Sequence, residues 1–199
     1  MAIYYPDEEE RDNARDKNIF AEKFLKTRSV IICGEINQAL AEKVTMQLLL
    51  LQEMGDDPIK IYINSQGGHV EAGDTIHDII KFIKPKVIMI GTGWVASAGI
   101  TIYLAADKEN RFSLPNTRYM IHQPLGGVRG PAADIKIEAE EIIRVRQRIN
   151  RLISEATGQP LEKVDVDTER NYWMNTSEAI DYGIVSRVIK SYDELKSLI

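Results

Sequence analysis

Hydrophobic residues along the chain alternate between the two-residue spacing of buried strands and the three-to-four-residue spacing of helices. A β-branched run at 30–33 predicts a strand, and Asn37 predicts the start of a helix. Ile59, Ile61 and Ile63 predict a second strand, which is followed by a second helix. The apolar faces comprise Leu40, Val44, Leu48 and Leu51 in the first helix, and Ile76, Ile79, Ile80 and Ile83 in the second. This alternation predicts an α/β fold built on a parallel sheet with right-handed crossovers.

The stretch from Val87 to Ala106 carries no charged side chain. About twenty apolar residues are enough to cross a bilayer, so a membrane span is one interpretation. Gly91 and Gly93 interrupt the stretch, however, and its flanks show no clear charge bias, which argues against a span. We therefore predict a buried strand over Lys86–Ile90, a glycine turn, and a buried helix from about Ala96.

The second half of the chain is dominated by one long amphipathic segment. Short strands are predicted at 111–114 and 118–121, followed by a glycine-rich segment and then a helix over 132–157. Such a helix is about 39 Å long at ~1.5 Å per residue, more than so small a domain needs. We interpret it as a projection that packs against a partner subunit; an ordinary amphipathic surface helix is the alternative. The remaining predicted elements are helices at 160–166 and 177–182, a strand at 184–189 and a helical tail.

The composition limits the function classes. The chain has 199 residues, 44% of them hydrophobic, which indicates one domain, and its formal net charge of -5 disfavours nucleic-acid binding. Cys33 is the only cysteine, which excludes an internal disulfide and a thiolate zinc site, and no metal site is predicted. The acidic start lacks the features of a signal peptide, so we predict a cytoplasmic protein whose residues 1–18 form a mobile arm.

Ser97 is the candidate nucleophile, because it lies among small residues in the first turn of a predicted helix. Backbone N–H groups at a helix start favour negative charge, and small neighbours let a substrate backbone come close. A serine that only caps the helix is the alternative. His122 follows a predicted strand and precedes the glycine-rich segment, which makes it the best-placed base among three histidines. One acidic or amide residue would complete a nucleophile, base and orienter set.

A glycine pair, Gly67 and Gly68, follows the strand that precedes the apolar stretch. Sites of parallel sheets lie at the carboxyl ends of strands, so this pair is expected to face Ser97 across one crevice. Simple turn geometry is the alternative. His69 follows the pair and is a candidate substrate contact, whereas His77 is predicted to lie at the surface.

Three segments carry longer motifs. They are Tyr62-Ile-Asn-Ser-Gln-Gly-Gly68, Gly93-Trp-Val-Ala-Ser-Ala-Gly99 and Arg111-Phe-Ser-Leu-Pro-Asn-Thr-Arg-Tyr-Met-Ile-His-Gln-Pro-Leu-Gly-Gly127. Together they resemble the ClpP family, the proteolytic subunits of the ATP-dependent Clp protease. The resemblance covers about 29–189, and Thr157-Gly-Gln-Pro160 and Asp167-Thr-Glu-Arg170 belong to it.

The resemblance implies a ClpP/crotonase-like fold in one domain. Its head would comprise 19–122 and 158–199, and 123–157 would form a protruding handle. It also implies a tetradecamer of two stacked heptameric rings around a proteolytic chamber. An AAA+ unfoldase would feed unfolded polypeptides into the chamber and would bind the ATP, so that this chain needs no cofactor.

The resemblance also implies roles for single residues. Ser97 falls on the nucleophile position and His122 on the general base. The backbone N–H groups of Gly68 and Ala98 fall on the oxyanion hole. The substrate-binding segment, which pairs with an extended substrate as an added strand, comprises Gln123, Pro124, Leu125, Gly126 and Gly127.

Asn171 departs from the family pattern, which has an aspartate after Glu-Arg at this place. Asparagine accepts the imidazole N–H through its carbonyl, but it cannot neutralise the imidazolium that forms during attack. We therefore predict that the chain alone is a weak or silent peptidase. Asp165 and Asp167 are the nearby acids, although the family pattern gives neither this role.

Further departures are Gln66 before the glycine pair, Ala98 after the nucleophile, and Lys60 in the pocket on which the unfoldase docks. They suggest a divergent paralogue that works in a mixed assembly with a standard ClpP. The first hypothesis is thus a serine endopeptidase subunit, and the alternative is a regulatory or structural ring subunit; acylation of Ser97 distinguishes them. A crotonase-like acyl-CoA enzyme and a membrane protease with a Ser-Lys pair are less favoured.

Overall fold

A seven-stranded sheet organises residues 20–199, which are the residues that the computed structural model describes. Its strands are β1 (Ser29–Ile36), β2 (Ile59–Gly68), β3 (Val87–Ala96), β4 (Arg111–Ser113), β5 (Arg118–Ile121), β6 (Tyr172–Met174) and β7 (Arg187–Val188). The main order is β1-β2-β3-β4-β7, all parallel. β5 pairs parallel with the end of β3, and β6 pairs antiparallel with β5. The predicted parallel α/β arrangement is confirmed.

The helices cover the sheet and supply most of the core that packs on it. They are α1 (20–26), α2 (Gln38–Glu53), α3 (Val70–Phe82), α4 (Ala98–Tyr103), α5 (Ala132–Thr157), α6 (Leu161–Asp167), α7 (Thr176–Tyr182) and α8 (Tyr192–Lys196). The predicted cap of α2 is present, since the Leu40 N–H donates to Asn37 Oδ1 at 3.0 Å. The predicted arm at 1–18 lies outside the described residues.

Two strands are longer than the sequence pattern predicts. β3 continues through Gly91 and Gly93 to Ala96, so the predicted glycine turn is wrong, and α4 begins one residue after Ser97. Gly91 is required here because the Tyr119 hydroxyl lies 2.3 Å from where a Cβ would stand. The first part of β3 therefore pairs with β4 and the last part with β5. The same holds for β2, which runs through the glycine pair to Gly68.

The apolar stretch at 87–106 is thus a strand joined to a six-residue helix. Across residues 20–199, no helix combines the length and the apolar character that a bilayer crossing requires. The predicted last strand is also shorter than expected and covers only Arg187–Val188.

The long helix α5 has the predicted bounds, Ala132–Thr157, and ends at Gly158 in the left-handed conformation. Only its second half is buried, at Ile149, Asn150, Ile153 and Thr157. Arg148 ties this half to α3 by donating to both carboxylate oxygens of Asp74. The first half exposes apolar side chains, since Ile137 is 62% and Ile143 54% exposed.

Replacing Leu48 with alanine is expected to lower the free energy of unfolding by about 2–5 kcal/mol, because a fully buried leucine leaves a cavity. Met46→Ala on the same helix is the matched control, since Met46 is 64% exposed and its loss should cost far less. Urea unfolding of both variants measures the difference. Equal effects would contradict the packing of α2 on the sheet.

Candidate active site

Ser97 occupies the junction between β3 and α4 in an unusual backbone conformation. Its φ is 56° and its ψ is -125°, and within residues 20–199 only Arg28 is another non-glycine residue with a positive φ. The Ser97 N–H donates to the carbonyl oxygen of Met120 at 3.0 Å, which holds the junction against β5. Strained backbone of this kind concentrates at functional sites, because surrounding structure must hold it in place. Because α4 begins at Ala98, Ser97 is the N-cap residue of this helix and not, as the sequence predicts, a residue of its first turn.

His122 connects Ser97 to Asn171 by two hydrogen bonds. The Ser97 Oγ and the His122 Nε2 are 2.7 Å apart, and the His122 Nδ1 lies 3.0 Å from the Asn171 Oδ1. The pairing of β5 with β6 explains this proximity, because Ile121 pairs with Tyr172 and the next positions are His122 and Asn171. The structure thus brings together three predicted residues that are 25 and 49 positions apart.

The two nearby aspartates have other partners. Asp165 Oδ1 accepts a hydrogen bond from Asn150 Nδ2 at 2.7 Å. Asp167 accepts from the Tyr182 hydroxyl at 2.9 Å and pairs with Lys163. Neither carboxylate is hydrogen-bonded to His122, so within residues 20–199 Asn171 is the hydrogen-bond partner of the His122 Nδ1.

The other two histidines lie apart from this set. His69 is exposed and pairs with Glu71 at 3.1 Å. His77 was predicted at the surface, but it is half-buried and its Nδ1 lies 2.7 Å from the carbonyl oxygen of Thr101 in α4. The reason is that α3 packs on α4 along this face, so a polar side chain there finds a backbone partner.

The glycine pair lies directly against Ser97. A Cβ on Gly67 would stand 2.5 Å from the Ser97 Cβ, and a Cβ on Gly68 would stand 2.2 Å from the Ile36 carbonyl oxygen. Gly67 and Gly68 line one crevice with Ser97 and His122, as the sequence predicts. Ala98, the second predicted oxyanion residue, is the first residue of α4, where a backbone N–H has no partner within the helix.

The predicted substrate-binding segment, 123–127, follows β5 outside the sheet. Gln123 is bonded internally: its N–H donates to Thr168 O at 2.7 Å and its side-chain amide to Glu169 O at 2.8 Å. Pro124 and Leu125 line the crevice, and Leu125 is 86% exposed. A Cβ on Gly126 would meet Ile142 of α5 at 2.5 Å, whereas Gly127 has open space.

Sequence reasoning missed a small apolar pocket beside Ser97. Its walls include Val70, Ile121, Pro124, Ile149 and Ile153. Ile149 and Ile153 come from α5, which the sequence pattern assigned to a partner contact. The apolar spacing of the helix includes Ile149 but not Ile153, and it carries no sign of which surface either residue contacts. Among the described residues, no cluster of histidine, cysteine and acidic side chains suits a metal ion.

Replacing Gly67 with alanine is expected to reduce catalytic efficiency at least about tenfold, because the new Cβ would displace Ser97. The substitution also places alanine at a φ of +98°, which adds strain. Gly130→Ala is the matched control, since its Cβ meets only Asp134 at ordinary distances of 3.7–3.8 Å. Full peptidase activity in the Gly67→Ala protein would contradict this geometry.

Comparison with known proteins identifies close relatives. The family model described as Clp protease matches residues 11–192. The ATP-dependent Clp protease proteolytic subunit 3 of Rhizobium etli is 55% identical over 192 residues, which cover 95% of this chain and 99% of that protein. The proteolytic subunit 2 of Pseudomonas aeruginosa is 54% identical over 171 residues, covering 86% and 85% of the two chains.

Solved structures match most of the chain. ClpP1 from Listeria monocytogenes is 65% identical and superposes with a TM-score of 0.81. The match covers 88% of this chain and 99% of the Listeria chain. An asparagine-to-aspartate mutant of that protein superposes with a TM-score of 0.84 over the same shares. The predicted fold class is therefore confirmed.

Proposed function

Since this chain belongs to the Clp protease family and is a Clp-type proteolytic subunit, as its motifs predict, we propose that it is a serine endopeptidase. The observation that carries the proposal is the hydrogen-bonded series from Ser97 Oγ through His122 to Asn171 Oδ1, with distances of 2.7 and 3.0 Å. A nucleophile, a base within hydrogen-bond reach and a group that orients the base are what acyl transfer requires.

In this proposal His122 Nε2 accepts the Ser97 hydroxyl proton while Oγ attacks the carbonyl carbon of a peptide bond. The N–H groups of Gly68 and Ala98 stabilise the oxyanion of the tetrahedral intermediate. The imidazolium then donates its proton to the leaving amine, which departs with the carboxyl-terminal fragment. Water, deprotonated by His122, hydrolyses the acyl-enzyme and restores the Ser97 hydroxyl.

Asn171 limits this mechanism at the step that makes the imidazolium. Its amide oxygen accepts the Nδ1–H and so selects the tautomer in which Nε2 is free to accept a proton. Its side chain carries no charge, so it offsets less of the positive charge on His122 than a carboxylate would. We propose that the unassisted chain is a slow peptidase for this reason.

The uncharged side chain of Asn171 also supports a second candidate function, that of a regulatory or structural ring subunit beside an active paralogue. The relatives above are numbered subunits 2 and 3 of their Clp proteases.

We propose stacked heptameric rings with an AAA+ unfoldase partner that consumes the ATP. The half-exposed first part of α5, with Ile137 and Ile143, supplies apolar surface for a ring contact. Failure of the chain to co-assemble with a standard ClpP would refute the mixed assembly.

Covalent labelling by a fluorophosphonate tests the proposed function. The reagent phosphonylates an activated serine, so the tryptic peptide that contains Ser97 is expected to gain its mass. Ser97→Ala should remove the label, and Ser177→Ala is the matched control because Ser177 is exposed and the hydrogen bonds of the His122 ring go to Ser97 and Asn171. An assembled protein that never labels at Ser97 would overturn the endopeptidase proposal and favour the structural ring subunit.

A further inference from the structure

Two stacked tryptophans lie on the surface close to the proposed catalytic groups. Trp94 and Trp173 are the two tryptophans of the chain, and their ring centroids are 6.2 Å apart with an interplanar angle of 16°. Both are partly exposed, at 42% and 37%. The Arg118 guanidinium lies 5.0 Å from the Trp173 ring centroid. We call these three side chains the tryptophan platform. Contiguous exposed apolar surface often marks a place where a ligand or a partner makes contact.

The strand pairing places the platform on the same face of the sheet as His122. Arg118, Met120 and His122 alternate along one face of the β5 segment, while Tyr119 and Ile121 point into the core. Trp94 of β3 pairs with Arg118 of β5, and Trp173 of β6 pairs with Met120 of β5. Trp173 therefore lies about one two-residue step, ~6.6–6.8 Å, from the row that holds His122 and Asn171, and Trp94 and Arg118 lie one step further along the strands.

The 123–127 segment lies beyond β5 and outside the sheet, where it is expected to pair with an extended substrate. A substrate whose acyl part runs along this segment continues away from it after the scissile bond. β5 itself is paired on both edges, by β3 and β6, so it cannot accept another strand. The face of the sheet that carries the platform is then the surface open to the part of the substrate that follows the scissile bond.

We propose that Trp94, Trp173 and Arg118 form a subsite for an aromatic side chain at the second residue after the scissile bond. The proposal rests on the endopeptidase function above. Two residues of an extended peptide span the same ~6.6–6.8 Å as the step from the His122 row to Trp173, the platform ring nearest to it. A flat ring packs on the exposed indole surface, and the Arg118 charge disfavours lysine or arginine at the same position.

Matched internally quenched peptides test the subsite by kinetics. The peptides differ only at the second residue after a cleavage point verified by mass spectrometry, which carries phenylalanine, alanine or lysine. The assembled protein is used in its unmodified or Asn171→Asp form, whichever turns over faster. We expect kcat/KM to be about two- to tenfold higher for phenylalanine than for alanine, with lysine lowest.

Variants of the platform should change this ratio. Trp173→Leu and Trp94→Leu are expected to bring the phenylalanine-to-alanine ratio close to one, whereas Trp173→Phe keeps most of it because a ring remains. Tyr192→Leu is the matched control, since Tyr192 is exposed and lies on α8, away from His122. An unchanged ratio in both leucine variants, or an equal change in the control, would overturn the subsite.

Binding to the Ser97→Ala protein separates the subsite from the chemistry. Because the chain has only two tryptophans, its tryptophan emission reports on the platform alone. The phenylalanine peptide is expected to change the emission saturably, with a Kd about two- to tenfold lower than that of the alanine peptide. Absence of a saturable change would refute the subsite. Retention of peptidase activity by Ser97→Ala would refute the endopeptidase mechanism.

Discussion

Replacing Asn171 with aspartate is expected to raise kcat for peptide hydrolysis, by up to about 10⁴-fold. The same difference between aspartate and asparagine at the orienting position of a well-studied serine protease is worth about 10⁴, or roughly 5.5 kcal/mol. The effect arises because a carboxylate stabilises the imidazolium and because both of its oxygens accept the Nδ1–H, whereas only one end of the asparagine amide does. Hydrolysis of a quenched decapeptide by the assembled chain, followed by fluorescence, measures the change.

Asn175→Asp is the matched control for this increase. Asn175 is also an exposed asparagine near the end of β6, but its side chain caps α7 by accepting from the Glu178 N–H at 3.0 Å. It should leave kcat unchanged. If the unmodified protein already cleaves as fast as the Asn171→Asp form, the amide is sufficient to orient His122. The prediction that the chain alone is a weak or silent peptidase is then wrong.

Replacing Ser97 with alanine is expected to abolish hydrolysis, with a loss of kcat of about 10⁶-fold when it is measured in the Asn171→Asp protein. Alanine keeps the Cβ and so leaves the strained backbone at φ 56° largely as it is. The loss should be smaller in the unmodified protein, since residues that act as a unit are not additive. Comparison of all four proteins in one assay measures this coupling.

Two measurements keep the loss interpretable. The assembly size of the Ser97→Ala protein, by analytical ultracentrifugation, should match that of the unmodified protein. Ser177→Ala, on the exposed face of α7, should retain full activity. Appreciable Ser97-independent hydrolysis would show that another group supplies the nucleophile.

Local signals in the sequence were sufficient wherever neighbouring residues decide the structure. The bounds of α5 follow from apolar spacing and from Gly158, and α7 begins at a capping box between Asn175 and Glu178. By contrast, the local pattern around the glycines of β2 and β3 predicts turns, and this prediction is wrong. Within the sheet they let the strands continue past close neighbours such as the Tyr119 hydroxyl, which no local pattern reveals.

The sequence by itself determined the parallel α/β class, the long helix, the family, and the identity of Ser97, His122 and Asn171 as candidates. Spacing and motif chemistry carry that information, because they act over a few residues. Tertiary structure alone decided that His122 lies 2.7 Å from Ser97, that Asp165 and Asp167 are committed elsewhere, and that two tryptophans stack beside the site. These relations depend on the register between β3, β5 and β6, and register is set by packing across the whole sheet.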